Sequence, residues 1–295
     1  MPELPEVETM RRGIQGIVGA RITSVEVIAG GLKPIRISPR PALLCRRTSG
    51  CTITAIERYG KRVALRLDSQ AVLVFEPRMT GLVLLADPPD REHLRLRVRL
   101  AGVPSRQLLF WDRRGLGSVR LLQPRQLLAE LGPEKLGPDA LEITAIQLRE
   151  RLHASRRAIK VALLDQHAVA GIGNLYAAEI LHAAAIQPAK RCDRLTSAEW
   201  AHLHAALRHV LSEAVRYEGS TLSDGTYRNA LNTPGSYQNH HRVYGRAGQP
   251  CPTCGAGPIR RIVQAQRATF FCPACQASRR DANWSASATP WARNG

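Results

Sequence analysis

What this sequence lacks already narrows its class. No stretch of its 295 residues approaches the roughly 18 uncharged apolar residues that a membrane helix needs, which excludes a helical membrane span. The opening segment MPELPEVETM is acidic where a secretory signal carries positive charge, so a soluble, intracellular protein is expected. No internal repeat is present, which excludes a repeat array. Acidic residues are in short supply, 24 against 42 basic ones, and the formal charge is +18. Such a charge opposes self-association and attracts polyanions, so nucleic acid is the leading partner, and the lack of any obvious self-association segment favours a monomer. Lysine is scarce too: five of the 42 basic residues are Lys and the rest are Arg. An Arg-rich composition could by itself raise the total charge. Residues 91–125 nonetheless hold nine Arg and two acids, a local excess that suits a phosphate-facing surface.

Length favours two folded units over one. Leu4, Val7, Met10, Ile14 and Ile17 recur at helical spacing, with acids in the first turn where the helix dipole favours them. From about residue 21 to 123 the pattern turns to short alternating runs (ITSVEVI, CTITAIE, KRVALRL, AVLVF, LRLRVRL, QLLFW) separated by Gly, Pro and Asp. These predict a β-rich domain with one N-terminal helix. After GPEKLGP at 132–138, helical periodicity returns through LEITAIQLRERL, AIKVALLDQ, LYAAEILHAA and SAEWAHLHAALRHVLSEAVRY. Residues 219–239 read as a long mobile loop, 245–276 as a small Cys-bearing module, and the segment from about 278 to 295 as a disordered tail.

Seven cysteines is an odd count, and four form two C-x-x-C pairs, Cys251 with Cys254 and Cys272 with Cys275. C-x2-C, 17 residues, C-x2-C is the spacing of a tetrahedral zinc site with four thiolates, in a reducing compartment. Four thiolates leave no open coordination position, so one structural zinc ion is expected. Between the pairs, IRRIVQAQRATFF alternates like a hairpin turning near Gln266 and Arg267, which would present that Arg at its tip. As spacing alone, Arg267 could equally be a solvated turn residue. Cys45, Cys51 and Cys192 carry no assignment.

In DQHAVAGIGNLYAAEIL a Gly-x-Gly-Asn turn at 171–174 opens a helix, like a helix-turn-helix variant. Free backbone N–H groups at such a start can hold a phosphate, with Asn174 donating through its amide. A tight interhelical turn would use the same glycines for sterics alone. At the N-terminus, removal of Met1 would expose the secondary amine of Pro2. An α-amine starts near pKa 8, and the helix N-terminus and desolvation lower it further, so it can act as a neutral nucleophile. Glu3 and Glu6 share one face of the first turn, where one can exchange protons and the other order the site. Acids at a helix start are also simple dipole complements.

In sequence order these pieces, MPELPEVE, GIGNLYAAE and QRATFFCPACQ, resemble the formamidopyrimidine-DNA glycosylase family over roughly residues 2–277. The resemblance implies an α+β multidomain fold: an N-terminal helix plus a two-layered antiparallel β-sandwich (2–131), a helical domain with a helix-two-turn-helix (139–240), and a C-terminal zinc-bound β-hairpin (245–277). It implies a bifunctional DNA glycosylase and AP lyase of base excision repair, working in the bacterial cytoplasm at the nucleoid. The substrate would be double-stranded DNA containing an oxidised purine, 8-oxoguanine or a formamidopyrimidine, or an abasic site. Pro2 would attack C1′, expel the base and leave an imine, and the strand would be cut by β,δ-elimination. Glu3 would serve as acid/base at the sugar, Glu6 as a supporting carboxylate and Lys61 as a proton donor, because Lys can cycle a proton and Arg cannot. Arg267 carries over as the residue of δ-elimination and lesion phosphate contact. His93, Arg114, Arg156, Lys160 and Asn174 carry over as phosphate or lesion contacts. Met79, Arg114 and Leu116 match the side chains inserted into the duplex when the damaged nucleotide leaves the stack.

Leu116 stands where that pattern has an aromatic, Glu76 and Pro77 where it has His-Leu, and Ser223 where a Lys is frequent. Two other readings compete: the endonuclease VIII branch, which prefers oxidised pyrimidines, and a non-catalytic DNA-binding zinc protein. The PELPEVET start and the QRATFFC segment favour the purine branch, and Pro2, Glu3 and Lys61 favour catalysis. Retention of Met1 would block the amine and favour a binding protein.

Overall fold

The computed structural model describes residues 2–28 and 33–277. The expected tail at 278–295 lies outside the described residues. The chain divides into two units, Met1–Lys135 with Ala214–Gln238, and Leu136–Glu213 with Asn239–Gly295.

The first unit begins with α1 (Leu4–Gly13). Pro5 fits the first turn, where its missing N–H costs nothing, and Glu3 and Glu6 form a capping box. Leu4, Val7 and Met10, spaced three apart, are fully buried, so the periodic stripe faces the core. Then follow β1 (Arg21–Val27), β2 (Arg36–Ser38), α2 (Pro41–Thr48), β3 (Ile53–Tyr59), β4 (Arg62–Leu67), β5 (Val72–Glu76), β6 (Gly81–Leu84), β7 (Leu94–Ala101), β8 (Gln107–Asp112), β9 (Ser118–Leu122) and α3 (Pro124–Leu131).

These strands form a four-stranded sheet in the order β1-β7-β8-β6 and a five-stranded sheet in the order β2-β9-β5-β4-β3. Every pairing is antiparallel except that of the three-residue β2 with β9. One core joins both sheets and α1, with Ile22, Leu65, Leu73, Phe75, Leu82, Leu96 and Phe110 at its centre. The α2 helix corrects the expectation of a β-rich span with a single helix. Its start signal is Pro41 at the first helical position, and Leu44 and Thr48, four apart, give it a buried face.

Residues 219–236 contain no helix or strand, as expected, but the segment is pinned rather than loose. Tyr227 and Ala230 are buried in the core of the first unit, and the Asn229 side chain accepts from the Leu231 and Thr233 N–H groups. Its Gly, Asn and Ser residues make local turns, and side-chain oxygens replace the missing ladder bonds.

The second unit contains α4 (Ala145–Leu152), α5 (Ile159–Leu163), α6 (Asn174–Ala183), most of α7 (Ser197–Arg216), and the hairpin β10 (Arg260–Gln264) and β11 (Arg267–Phe271). Thr144 caps α4 by accepting from the Gln147 N–H. The small hairpin module builds its own core from Val243, Ile259 and the cysteines against Ala178 of α6. No described helix is long and apolar enough to cross a membrane.

Candidate active site

Pro2 is buried immediately before α1, and Glu3 and Glu6 are buried as well. The Glu3 N–H donates to Glu6 Oε2 at 2.8 Å, and the Ser220 N–H donates to Glu6 Oε1 at 2.8 Å. Glu6 thus ties the start of α1 to the 219–236 segment with one oxygen for each. Gly219 makes this approach possible: its φ is +79°, and a Cβ there would lie 2.9 Å from both Glu6 Cγ and Oε1. The Tyr227 hydroxyl lies 2.9 Å from the Glu218 carbonyl and 3.3 Å from that of Glu6. Burial, and then the Glu6 charge, push this phenol well above its usual pKa, which keeps it a donor. A pocket opens beside Pro2, walled by Met79, Ser220, Asp224, Thr226 and Tyr227.

Lys61 lies in the turn between β3 and β4, the strands against which α1 packs, and is half-buried. A side-chain relay supports that turn. Arg58 Nε donates to Glu8 Oε2 at 2.9 Å, and Arg58 Nη1 donates to the Gly60 carbonyl at 3.1 Å. Neither Glu8 nor Arg58 stood out in the sequence, because a charged pair fifty residues apart becomes visible only after folding. Glu6 differed in this respect, since its spacing from Glu3 marked it.

Further expected residues of the first unit have distinct settings. Arg114 is exposed, Met79 and Leu116 are half-buried, and all three stand on turns flanking β6 and β8. His93 Nδ1 lies 2.8 Å from Asp90 Oδ1, and its ring meets Trp111 edge-on at 5.5 Å.

In the second unit Arg156 is exposed. Lys160 corrects the expectation of a phosphate contact, for it is fully buried. Its Nζ donates to Asn174 Oδ1 at 2.7 Å, to the Ala268 carbonyl at 2.9 Å and to Thr269 Oγ1 at 2.6 Å. Three acceptors match the three protons of an ammonium, so this lysine joins the start of α6 to β11 instead of reaching a ligand. Asn174, half-exposed, also donates its amide to the Ala268 carbonyl at 3.0 Å. Arg267 is exposed and begins β11, opposite Gln264. The turn itself is Ala265 and Gln266, both left-handed (φ 46° and 60°), one residue earlier than expected. Two consecutive positive φ values suit the right-handed twist of a two-residue hairpin.

The four cysteine sulfurs of the C-x-x-C pairs lie within 4.8 Å of one another. Cys251 and Cys275 are separated by 3.8 Å, and Cys254 and Cys272 by 3.6 Å. Tetrahedral zinc at about 2.3 Å from each sulfur requires sulfur-to-sulfur edges of ~3.8 Å, so the cluster fits the ion. Burial pushes the Cys272 and Cys275 thiols upward, so four thiolates coexist here only around a cation. His182 of α6 places Nε2 3.6 Å from Cys251 Sγ, as an outer partner of that ligand.

Three family models match in succession: the formamidopyrimidine-DNA glycosylase N-terminal domain over residues 1–119, its H2TH domain over 131–226, and the zinc finger found in FPG and IleRS over 248–277. The formamidopyrimidine-DNA glycosylase of Chloroflexus aurantiacus is 42% identical over 94% of this chain and 98% of its own. That of Bacillus subtilis is 38% identical over 94% and 99%. The chain belongs to the formamidopyrimidine-DNA glycosylase family.

Solved structures agree with that placement. The MutM (Fpg) protein of Thermus thermophilus superposes with a TM-score of 0.81 at 38% identity, covering 93% of this chain and 98% of that one. Lactococcus lactis Fpg in complex with DNA containing an abasic site gives 0.81 at 33% identity, covering 94% and 100%. This member of the glycosylase family carries a zinc site formed by Cys251, Cys254, Cys272 and Cys275. Its departures from the family pattern have visible settings. Glu76 pairs with Arg62 at 3.0 Å, Leu116 lies between two buried glycines, and Ser223 is exposed beside the pocket residue Asp224.

Proposed function

We propose that this chain excises oxidised purines from double-stranded DNA and cuts the strand at the resulting site, with Pro2 as the nucleophile. The observation that carries this reading is the setting of Pro2, buried at a pocket and followed by the buried Glu3 and Glu6, with the Glu6 carboxylate fixed by hydrogen bonds from the Glu3 and Ser220 N–H groups. After loss of Met1 the secondary amine attacks C1′ of the damaged nucleotide. The C1′–N bond to the protein forms as the bond to the base breaks, and Lys61 donates a proton to the departing base. Glu3 protonates the ring oxygen as the sugar opens, leaving an iminium at C1′. The iminium acidifies C2′, so the 3′-phosphate departs by β-elimination and the 5′-phosphate by δ-elimination, the second step assisted by Arg267. Glu6 holds the geometry.

Met79, Arg114 and Leu116 fill the space left by the extruded nucleotide. Arg156 and Asn174 contact phosphate, His93 works at the lesion, and zinc keeps the Arg267 hairpin folded. Residues 2–131 carry the chemistry, 139–240 grip DNA and 245–277 form the finger. The protein acts as a monomer in the cytoplasm. Borohydride reduction in the presence of duplex DNA bearing 8-oxoguanine opposite cytosine tests the scheme. Processed protein should give a covalent adduct that Pro2→Gly or retained Met1 abolishes, with phosphate on both product ends. No adduct on this lesion, on formamidopyrimidine or on an abasic site would leave a DNA-binding zinc protein as the better description.

A further inference from the structure

The turns that carry Met79, Arg114 and Leu116 meet at one buried carboxylate. Asp112, the last residue of β8, is fully buried and lies opposite Gly81, the first residue of β6. Thr80, next to Met79, is buried and donates through Oγ1 to Asp112 Oδ1 at 2.5 Å. The Arg114 N–H donates to both of these acceptors, to Thr80 Oγ1 at 3.0 Å and to Asp112 Oδ1 at 3.2 Å. The Gly117 N–H donates to Asp112 Oδ2 at 2.7 Å. A Cβ at Gly117 would lie 3.1 Å from that oxygen and 2.9 Å from Phe110 Cζ, so the close approach depends on glycine. From the other side, the buried Arg95 donates Nε to the Asp112 carbonyl at 2.9 Å. One oxygen thus holds the Met79 turn and the front of the 112–117 loop, while the other closes the back of the loop behind Leu116.

We propose that Asp112 and Thr80 are positioning residues that lock Met79, Arg114 and Leu116 into a single rigid wedge. Insertion into a base stack requires groups that do not yield when pushed, and loops joined only through solvent would yield. A leucine at the tip stacks less well than an aromatic ring, which makes a fixed backbone more important here. The lock therefore acts when the damaged nucleotide leaves the stack. It contributes little at an abasic site, where no base has to be extruded. The proposal rests on the wedge assignment made above.

Asp112→Asn tests it. An amide supplies one acceptor oxygen and an NH2 group. The Thr80 hydroxyl can reverse to accept from that NH2, but in either orientation one of the backbone N–H groups of Arg114 and Gly117 loses its carboxylate acceptor and faces a donor instead. Single-turnover release of 8-oxoguanine from duplex should fall about tenfold, the size of one lost buried hydrogen bond. Borohydride trapping on a preformed abasic site should stay within about twofold of the parent, at the same zinc content and at a temperature well below the melting transition of either protein. Thr80→Val should show the same loss of base release and Thr80→Ser should restore it, a pair that keeps the test alive if Asp112→Asn does not fold. Equal loss on both substrates would mark a merely structural role and overturn the proposal. Met79→Ala serves as the control on the wedge. If it slows base release while Asp112→Asn and Thr80→Val do not, this proposal alone fails; if it has no effect, the wedge assignment and the proposal fail together.

Discussion

Replacing Glu179 with Gln puts a donor where the second unit needs an acceptor. This side chain is buried in the middle of α6, and its carboxylate collects three consecutive backbone N–H groups. Oε1 accepts from Val243 at 3.0 Å and Tyr244 at 2.7 Å, and Oε2 accepts from Arg242 at 2.9 Å. Burial raises the carboxyl pKa, and the three N–H groups oppose that rise. Tyr244 in turn packs edge-on against Phe270 of β11 at 5.2 Å, so the anchor bears on the strand that Arg267 begins. In the best orientation Gln keeps its oxygen on Val243 and Tyr244 and turns its amide toward the Arg242 N–H. That loses one charge-assisted hydrogen bond and leaves a donor unpaired, which costs about 2 kcal/mol once relief of the buried charge is counted. The melting temperature of the second unit should drop by about 4–8 °C. Glu179→Ala leaves three donors unpaired and should cost about twice as much. Differential scanning calorimetry, with zinc release followed by a chromogenic chelator, reads both effects. The reasoning fails if Glu179→Gln melts and holds zinc like the parent, or if Ala is no worse than Gln.

Three further outcomes follow from the same structure. Burial raises the Glu8 carboxyl, but Arg11, Arg12 and Arg58 outweigh it and hold the pKa to about 2, against an ordinary 4.5. A depressed pKa contributes stability that is complete above about pH 4.5 and is lost as pH falls toward 2, here at most about 3 kcal/mol, because the exposed Arg12 is partly screened. Urea titrations of the parent and Glu8→Gln should therefore converge between pH 5 and 2.5, and a gap that stays constant would refute the assignment. Lys160→Met leaves the Asn174 and Thr269 side-chain oxygens without the ammonium donor and the Ala268 carbonyl with the Asn174 amide in its place, and should cost about 2–3 kcal/mol. The check is chemical denaturation together with DNA affinity, and a variant as stable as the parent would show that the ammonium is dispensable. If binding neutralises about six phosphates, log K for duplex DNA should fall against log salt with a slope near −5, and a slope near zero would contradict a basic DNA-binding face.

Much of this molecule was legible in the chain itself, wherever the signal was local. Helical and strand periodicities located α1, the main strands and the long helices, because side-chain period follows directly from backbone geometry. The cysteine spacing announced a four-sulfur cluster, and Glu3 and Glu6, three apart, announced a shared face at the helix start. What tertiary structure decided were the contacts between segments distant in sequence. Lys160 read as a phosphate or lesion contact because the family resemblance carried it over, and nothing local in the sequence marks a lysine as buried. Folding buries it against β11, more than a hundred residues away. The 219–236 segment read as mobile because polar turn residues carry no periodicity. In the fold, Tyr227 and Ala230 anchor it to the core and Ser220 reaches Glu6. Asp112, Thr80 and Glu179 left no mark in the sequence, since a lone carboxylate or hydroxyl acquires a role only when distant backbone N–H groups converge on it. Composition and period determined which elements form; the pairing of buried polar groups, which depends on three-dimensional convergence, decided how the site is held.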